Sequence, residues 1–403
     1  MTATGPRADL PQVPGPRDGR ADAATTELPA VAVRPRNDAP AEQQTAAVGP
    51  RTNLPSLTGL RWMAAFFVFG YHLHKVQYFA PGRTRDALEL VFADGSVGVS
   101  FFFILSGFVL MWSSPRTPPG RFWWRRFARV YPLHLATAIL AFGFLWVWKP
   151  QEVPTPLAAL ANLTLTHNWV QDPVFYQSLN TVSWTLACEA FFYFTFPLIS
   201  GLIVRLRTGG ALLLAGASLI ITMVAPTLSL RLAAEADVLW FWHWTPFGRY
   251  PEFLLGIALA RLVWLNHERL ARYARPLGIA AVLVTVVGYL AIAEQVKVLH
   301  PPAFTAAGFA LVLVAAAVCD LHGRRLIWAR PVLVKLGELS FAFYLVHLLV
   351  IRALEMVFGY HPQLDIVRGS LLTMLSFGVA LGVSWLLHAG VENPARKLLL
   401  RKR

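Results

Sequence analysis

The sequence predicts an all-α integral membrane protein, a bundle of about ten transmembrane helices with a disordered N-terminal tail. Three observations point that way. Hydrophobic residues form 56% of the 403-residue chain and charged residues only 14%, little more than half the charged share of a typical soluble domain. From Leu57 onward, apolar stretches near the ~20 residues that a spanning helix needs alternate with short polar connections. Arginine and lysine gather in every second connection, as they do where loops sort to one side of a membrane.

The elements follow in order. Residues 1–52 are rich in Pro, Ala, Asp, Arg and Gln and show no apolar period. Such a segment cannot bury enough surface to offset its chain entropy, and a disordered cytosolic tail is expected. Its start lacks a basic patch followed by an apolar core, so no cleaved signal peptide is expected. A transmembrane domain over 53–396 comes next, with apolar stretches at 57–78, 96–113, 131–149, 183–204, 210–230, 250–265, 277–293, 302–319, 337–358 and 368–389. Ala158 to Trp169 reads as a further interfacial or re-entrant piece, and residues 397–403 as a basic cytosolic tail.

With both termini in the cytoplasm, the inner connections hold Arg116, Arg121, Arg125, Arg126 and Arg129, then Arg205 and Arg207, and so on to Arg396, Lys397, Arg401, Lys402 and Arg403. The outer ones hold only Lys75, Arg83, Arg85, Lys149, Arg231, Arg249 and Lys297. The net charge of +14 is thereby accounted for by orientation in a cell membrane. The lipid bilayer is the expected partner, and nucleic acid is not. Cys188 and Cys319 both fall in apolar stretches and offer neither a disulfide framework nor metal-ligand spacing. They are expected to be packing residues, and no metal is expected.

Charge inside the bilayer is costly unless it is paired or faces a cavity, so function is sought there. In the first stretch, LTGLRWMAAFFVFGYHLH, Arg61 and His72 are eleven residues apart. That spacing returns them to one face, ~16 Å apart along the axis. In the fourth, SWTLACEAFFYF enters from the opposite side and carries Glu189 ~9 Å below the outer edge. His72 lies ~8 Å from the same edge. A carboxylate at that depth could orient the imidazole and raise its basicity, making a dyad with His72 as general base and Glu189 as its partner. Two unrelated polar groups, each bonded to another helix, are the alternative reading. The connection RFWWRRFARVYP places Arg126 and Arg129 on one face just before Pro132, taken as the start of the third helix. Forked guanidinia suit phosphate esters.

The order of motifs resembles the acyltransferase 3 family of membrane O-acyltransferases. The resemblance spans roughly Leu54 to Arg396. Its carriers are Arg61 and His72, FFFILSGF at 101–108, Arg126 with Arg129 and Pro132, and TVSWTLACE ending in Glu189. YPEFLLG with Glu252, LGELSFAFYLVH ending in His347, and VENPAR with Glu392 and Arg396 complete the series. The chain departs from the family pattern with Thr58, Trp62, Tyr71 and Thr185 where members often carry Asp, Gly, His and Ser.

The resemblance implies transfer of an acyl group, usually from acyl-CoA as co-substrate, to a hydroxyl of a sugar, glycan or glycosylated small molecule, with no bound cofactor. Arg126 and Arg129, with Arg61, would hold the donor phosphates at the cytosolic mouth. His72 would deprotonate the acceptor hydroxyl, with Glu189 orienting it. Trp184 and Ser106 would belong to the donor- or substrate-binding set, and Ser106 alternatively could carry the acyl group. His347 is either a second polar group in the same cavity or a core histidine bonded to a backbone carbonyl. Glu252 and Glu392 would sit at boundaries and pair with Arg249 and Arg396. His134, His243, His322 and His388 fall outside the motifs. The opening LPSLTGLRW looks most like an antibiotic-tailoring branch that acylates macrolides. The competing class is a proton-coupled permease, against which stands the lack of repeat symmetry and of matching broken helices.

Overall fold

A computed structural model describes residues 53–294 and 302–401. The expected disordered tail, residues 1–52, lies outside the described residues, as do Lys297, Lys402 and Arg403. Among the described residues no β-strand occurs, and ten helices run sixteen residues or longer. They are α1 Pro55–Val76, α2 Gly98–Ser113, α3 Pro119–Trp148, α4 Trp184–Ile203, α5 Thr208–Ser229, α6 Pro246–Arg272, α7 Ala274–Glu294, α8 Pro302–Leu321, α9 Pro331–Phe358 and α10 Ile366–Leu387. Pro55, Pro119, Pro246 and Pro331 occupy first turns, where the missing N–H costs no hydrogen bond. At α10, Asp365 instead accepts from the backbone N–H groups of Val367 and Arg368.

Eight stretches of the described chain are long and apolar enough to cross a membrane, and the protein is a multi-pass membrane protein. The other two long helices, α1 and α6, fall outside that set. They carry Arg61 with His72 and Arg249 with Glu252. Their lengths, ~33 and ~40 Å, still match a bilayer.

One expected boundary is corrected. Arg126, Arg129 and Pro132 do not form a connection and a helix start, because α3 runs unbroken for 30 residues with Pro132 inside it. A proline removes one ladder bond, which membrane helices tolerate where neighbouring helices support the turn. The support on the N-terminal side of Pro132 comes from two indoles. Trp123 Nε1 donates to the Tyr193 carbonyl at 3.1 Å and Trp124 Nε1 to the Leu399 carbonyl at 2.9 Å.

Helix α6 packs against α2, α4, α5 and α8, and α1 against α2, α8 and α9. The spanning stretch that includes α2 is 72% buried and that of α7 only 17%, so α2 belongs to the core and α7 to the lipid-facing rim. Between α3 and α4 the chain folds into the short helices Pro156–Leu163 and Pro173–Tyr176 joined by irregular backbone. This segment includes the expected re-entrant piece, and side-chain amides satisfy backbone carbonyls in and around it. Asn162 donates to the Ser178 carbonyl at 2.8 Å, and Asn168 to those of Trp184 at 2.8 Å and Trp244 at 2.7 Å. Asn180 donates to the Leu345 carbonyl at 2.8 Å.

The α2–α6 contact depends on two glycines set against each other's helices. A Cβ on Gly107 would strike the Phe253 carbonyl, and one on Gly256 would strike the Ile104 carbonyl. Neither obstacle is a flexible side chain, so the helices would have to part. Gly256→Val is expected to destabilise the protein by about 1–3 kcal/mol or more, the usual range for overpacking. A lowered melting temperature in detergent and reduced membrane abundance would report it.

Candidate functional site

Two cavities lie end to end along α1 and share Val99 and Tyr344 in their walls. The larger, about 570 Å³, surrounds the C-terminal half of α1 and includes His72. The smaller, about 90 Å³, lies by the N-terminal half and includes Arg61. The eleven-residue spacing of Arg61 and His72 thus assigns one residue to each chamber.

In the larger cavity His72 is paired with His347. His347 Nδ1 lies 3.2 Å from the Phe343 carbonyl, which can only accept, so this nitrogen carries the proton. In the neutral ring Nε2 is then an acceptor, and it stands 3.0 Å from His72 Nδ1. His72 Nδ1 must therefore be the donor, sharing its proton with the Val68 carbonyl at 2.9 Å. That leaves His72 Nε2 with a free lone pair, and among the described residues it has no hydrogen-bond partner. The chain of contacts, carbonyl to imidazole to imidazole, fixes the tautomer that a general base needs. His347 is fully buried behind His72 and packs on Phe343 and Tyr344. Of the two readings of His347, the structure shows the histidine bonded to a backbone carbonyl, standing behind the cavity wall and touching His72.

Trp184 lines the same cavity, its ring 5.4 Å from His243 and 5.1 Å from Trp244. The Arg249 guanidinium lies 5.9 Å from the Trp184 ring. Arg249 also forms an ion pair with Glu252 at 3.0 Å and donates to Ser100 Oγ at 2.9 Å. The expected Arg249–Glu252 pair is present in the first two turns of α6, and both side chains are almost wholly buried. Their three-residue spacing was a legible signal of pairing. Nothing in the sequence gave its depth.

Glu189 is the main departure. Helical rise places it level with His72, yet it lies in the smaller cavity with Arg61, Ser106, Arg126, Arg129 and Tyr193. Its Oε2 accepts from Tyr193 Oη at 2.8 Å. The expected His72–Glu189 dyad is not formed, because Trp184 at the start of α4 already lines the chamber of His72 and Glu189, more than a turn further along, reaches the next one. Glu392 departs similarly. It pairs with His388 Nδ1 at 2.8 Å, across a π-helical turn, and not with Arg396.

The smaller cavity has the character of an anion site. Three guanidinia face one carboxylate. Among the described residues Arg61, Arg126 and Arg129 make no hydrogen bond or ion pair, and the Nε atoms of Arg61 and Arg126 are buried without a partner. Arg126 rests between the rings of Phe122 at 5.5 Å and Tyr193 at 5.8 Å, which hold it without consuming its donors. Buried N–H groups left unmatched in this way are matched when an anion arrives. Ser106 faces this chamber and not that of His72.

Comparison with known proteins bears on the same residues. The acyltransferase 3 family profile, described as an acyltransferase domain, matches residues 54–389. Acyltransferase MdmB of Streptomyces mycarofaciens is 36% identical over 371 residues, covering 87% of this chain and 93% of that protein. O-acetyltransferase OatA of Staphylococcus aureus is 27% identical over 161 residues, or 36% of this chain and 24% of its own. A protein of the picA locus of Rhizobium radiobacter is 37% identical over 114 residues, 27% of this chain and 53% of its own. No solved structure matches the chain. The matched span takes in both cavities, from Arg61 on α1 to His347 on α9, and the chain belongs to the acyltransferase 3 family.

Proposed function

We propose that this acyltransferase moves an acyl group from acyl-CoA to a hydroxyl of a sugar, glycan or glycosylated small molecule such as a macrolide, with His72 as general base. The observation that carries the reading is the free Nε2 of His72, fixed in its tautomer by His347 and open to the larger cavity. The acceptor O–H gives its proton to this nitrogen as the oxygen attacks the thioester carbonyl. The tetrahedral oxyanion then collapses, the C–S bond breaks, and the CoA thiolate takes the proton from His72. In this reading His347, not Glu189, orients the base.

Arg61, Arg126 and Arg129 bind the donor's phosphates, as forked guanidinia suit phosphate oxygens. Glu189 sets their spacing and limits their mutual repulsion. Ser106 serves donor binding, since no imidazole stands beside it to activate it as a nucleophile. The thioester arm passes Val99 and Tyr344 to reach the larger chamber, where Trp184 flanks the acceptor. The arginine mouth opens to the cytoplasm, where acyl-CoA is made, and both termini lie on that side of the plasma membrane. No bound cofactor takes part.

Three outcomes are expected. His72→Ala lowers acyl transfer by about 10²-fold or more, the usual worth of a general base. Adding His347→Ala to it costs little further, because residues acting as a unit are not additive. Turnover of the single and double variants in membranes decides this. If the double variant falls by the product of the single effects, the pair does not act as one. Arg126→Ala and Arg129→Ala each raise the KM for acyl-CoA, and the difference from wild type shrinks at high salt as phosphate attraction is screened. A fall in kcat at unchanged KM would remove the arginines from donor binding. Glu189→Gln changes the KM for acyl-CoA but leaves the acid limb of the pH–rate profile where it was. A shifted limb would restore the dyad.

A further inference from the structure

A second cluster of chemistry-bearing side chains lies outside both cavities. His267 and Glu268 sit near the C-terminal end of α6, and His322 directly follows α8. One ligand atom from each lies within 4.8 Å of the other two. Two independent features say that the imidazoles are poised for something they do not hold. His267 Nδ1 and His322 Nε2 are both buried and have no hydrogen-bond partner. Their ring centroids lie 5.6 Å apart, tilted by 44°, which brings a nitrogen of each within 4.8 Å of one of the other. A buried polar atom without a partner is costly, and two in one place call for a shared one.

We propose that His267, Glu268 and His322 form a binding site for a divalent transition-metal ion of the Zn²⁺ class. The donor set is two imidazole nitrogens and a carboxylate oxygen, which suits zinc and its neighbours and not the oxygen-seeking Mg²⁺ or Ca²⁺. His267 Nδ1 stands 3.6 Å from Glu268 Oε1, too far for a hydrogen bond. Two ligands ~2.1 Å from one tetrahedral zinc stand ~3.4 Å apart, so this separation is close to that of ligands to a common ion. Glu268 is 79% exposed, so its carboxylate is the ligand on the solvent side.

The scaffold is anchored on both sides. Asn266 Nδ2 donates to the Leu262 carbonyl at 3.0 Å and to Thr208 Oγ1 at 3.2 Å, tying this end of α6 to α5. Asp320, two residues before His322, accepts from the backbone N–H and hydroxyl of Ser56 at 2.8 and 2.6 Å. It is thereby engaged with α1 and is not a ligand. The same contact puts the site on the face of the bundle where α1 begins, the side of the arginine cavity. An ion there would join the ends of α6 and α8 and so restrain the central helix from one side.

Cobalt titration of the full-length protein, purified in detergent on a histidine-free tag, tests the site through its visible d–d absorption. One Co²⁺ per chain is expected, displaced by Zn²⁺. His267→Asn and His322→Asn should each weaken binding by more than about 100-fold, since even outer-shell changes cost 10–100-fold. His72→Asn should leave the band intact, which separates this site from the other imidazole pair. No band in the wild type, a band kept in the His267→Asn/His322→Asn double variant, or a band lost in His72→Asn would each overturn the proposal. A second measurement needs no variant. Zn²⁺ should protect His267 and His322 of the wild type from diethylpyrocarbonate, read by mass spectrometry, and equal labelling with and without the ion would also overturn it.

Discussion

Arg249 and Glu252 stand 3.0 Å apart inside α6, with side chains 2% and 1% exposed. A charged residue facing lipid is costly even when it is paired, and both members of this pair lie on one helix. Helix α6 is therefore excluded from the rim. It lies at the centre, with α2, α4, α5 and α8 around it. The same constraint acts on α1, whose Arg61 and His72 need protein or a cavity on their side. The helices left for the periphery are those without charge in their middle turns, such as α7 and α10. The arrangement of the bundle follows from where its few ionised groups can be tolerated.

That constraint also explains why the two chambers differ. The one by the N-terminal half of α1 holds guanidinia with unmatched donors and little volume. The one by the C-terminal half is several times larger and mixes aromatic rings with charged groups around His72. Binding an anionic donor and activating a hydroxyl make opposite electrostatic demands. Tyr344 and Val99, shared by both walls, stand between the arginines and the imidazole pair.

Much of this was legible in the sequence, and the misses have a common cause. The ten apolar stretches correspond to α1–α10, and all eight chosen site residues line one or other cavity or, for His347, back it. Periodicity and rise along a helix fix height and face within one element, which is why Arg61 and His72 could be assigned to two levels of one face. They do not fix which neighbour that face meets. Glu189 lies in the arginine chamber, past the level of His72, and the partner of His72 comes instead from α9, 275 residues away. Pro132 misled for a different reason. Its rule as a helix breaker holds in water, while a membrane helix among neighbouring helices tolerates the lost ladder bond. The pairing of His388 with Glu392 was available from their four-residue spacing, and the more familiar attraction of Glu392 to Arg396 obscured it.

The irregular segment between α3 and α4 sets conditions on how the protein can be made. Its asparagines do not find acceptors nearby alone. Asn168 waits for the carbonyl of Trp244, and Asn180 for that of Leu345. Those acceptors belong to stretches translated 76 and 165 residues later. Until they arrive, Asn180 and part of the donor capacity of Asn168 go unmatched by protein, which makes hydrocarbon costly for the segment. It must stay at the water interface while α4 through α9 are inserted, and settle only when α9 is in place. Assembly of the larger chamber is thus a late event in biogenesis, since α9 also supplies Tyr344 and Leu348 to its wall.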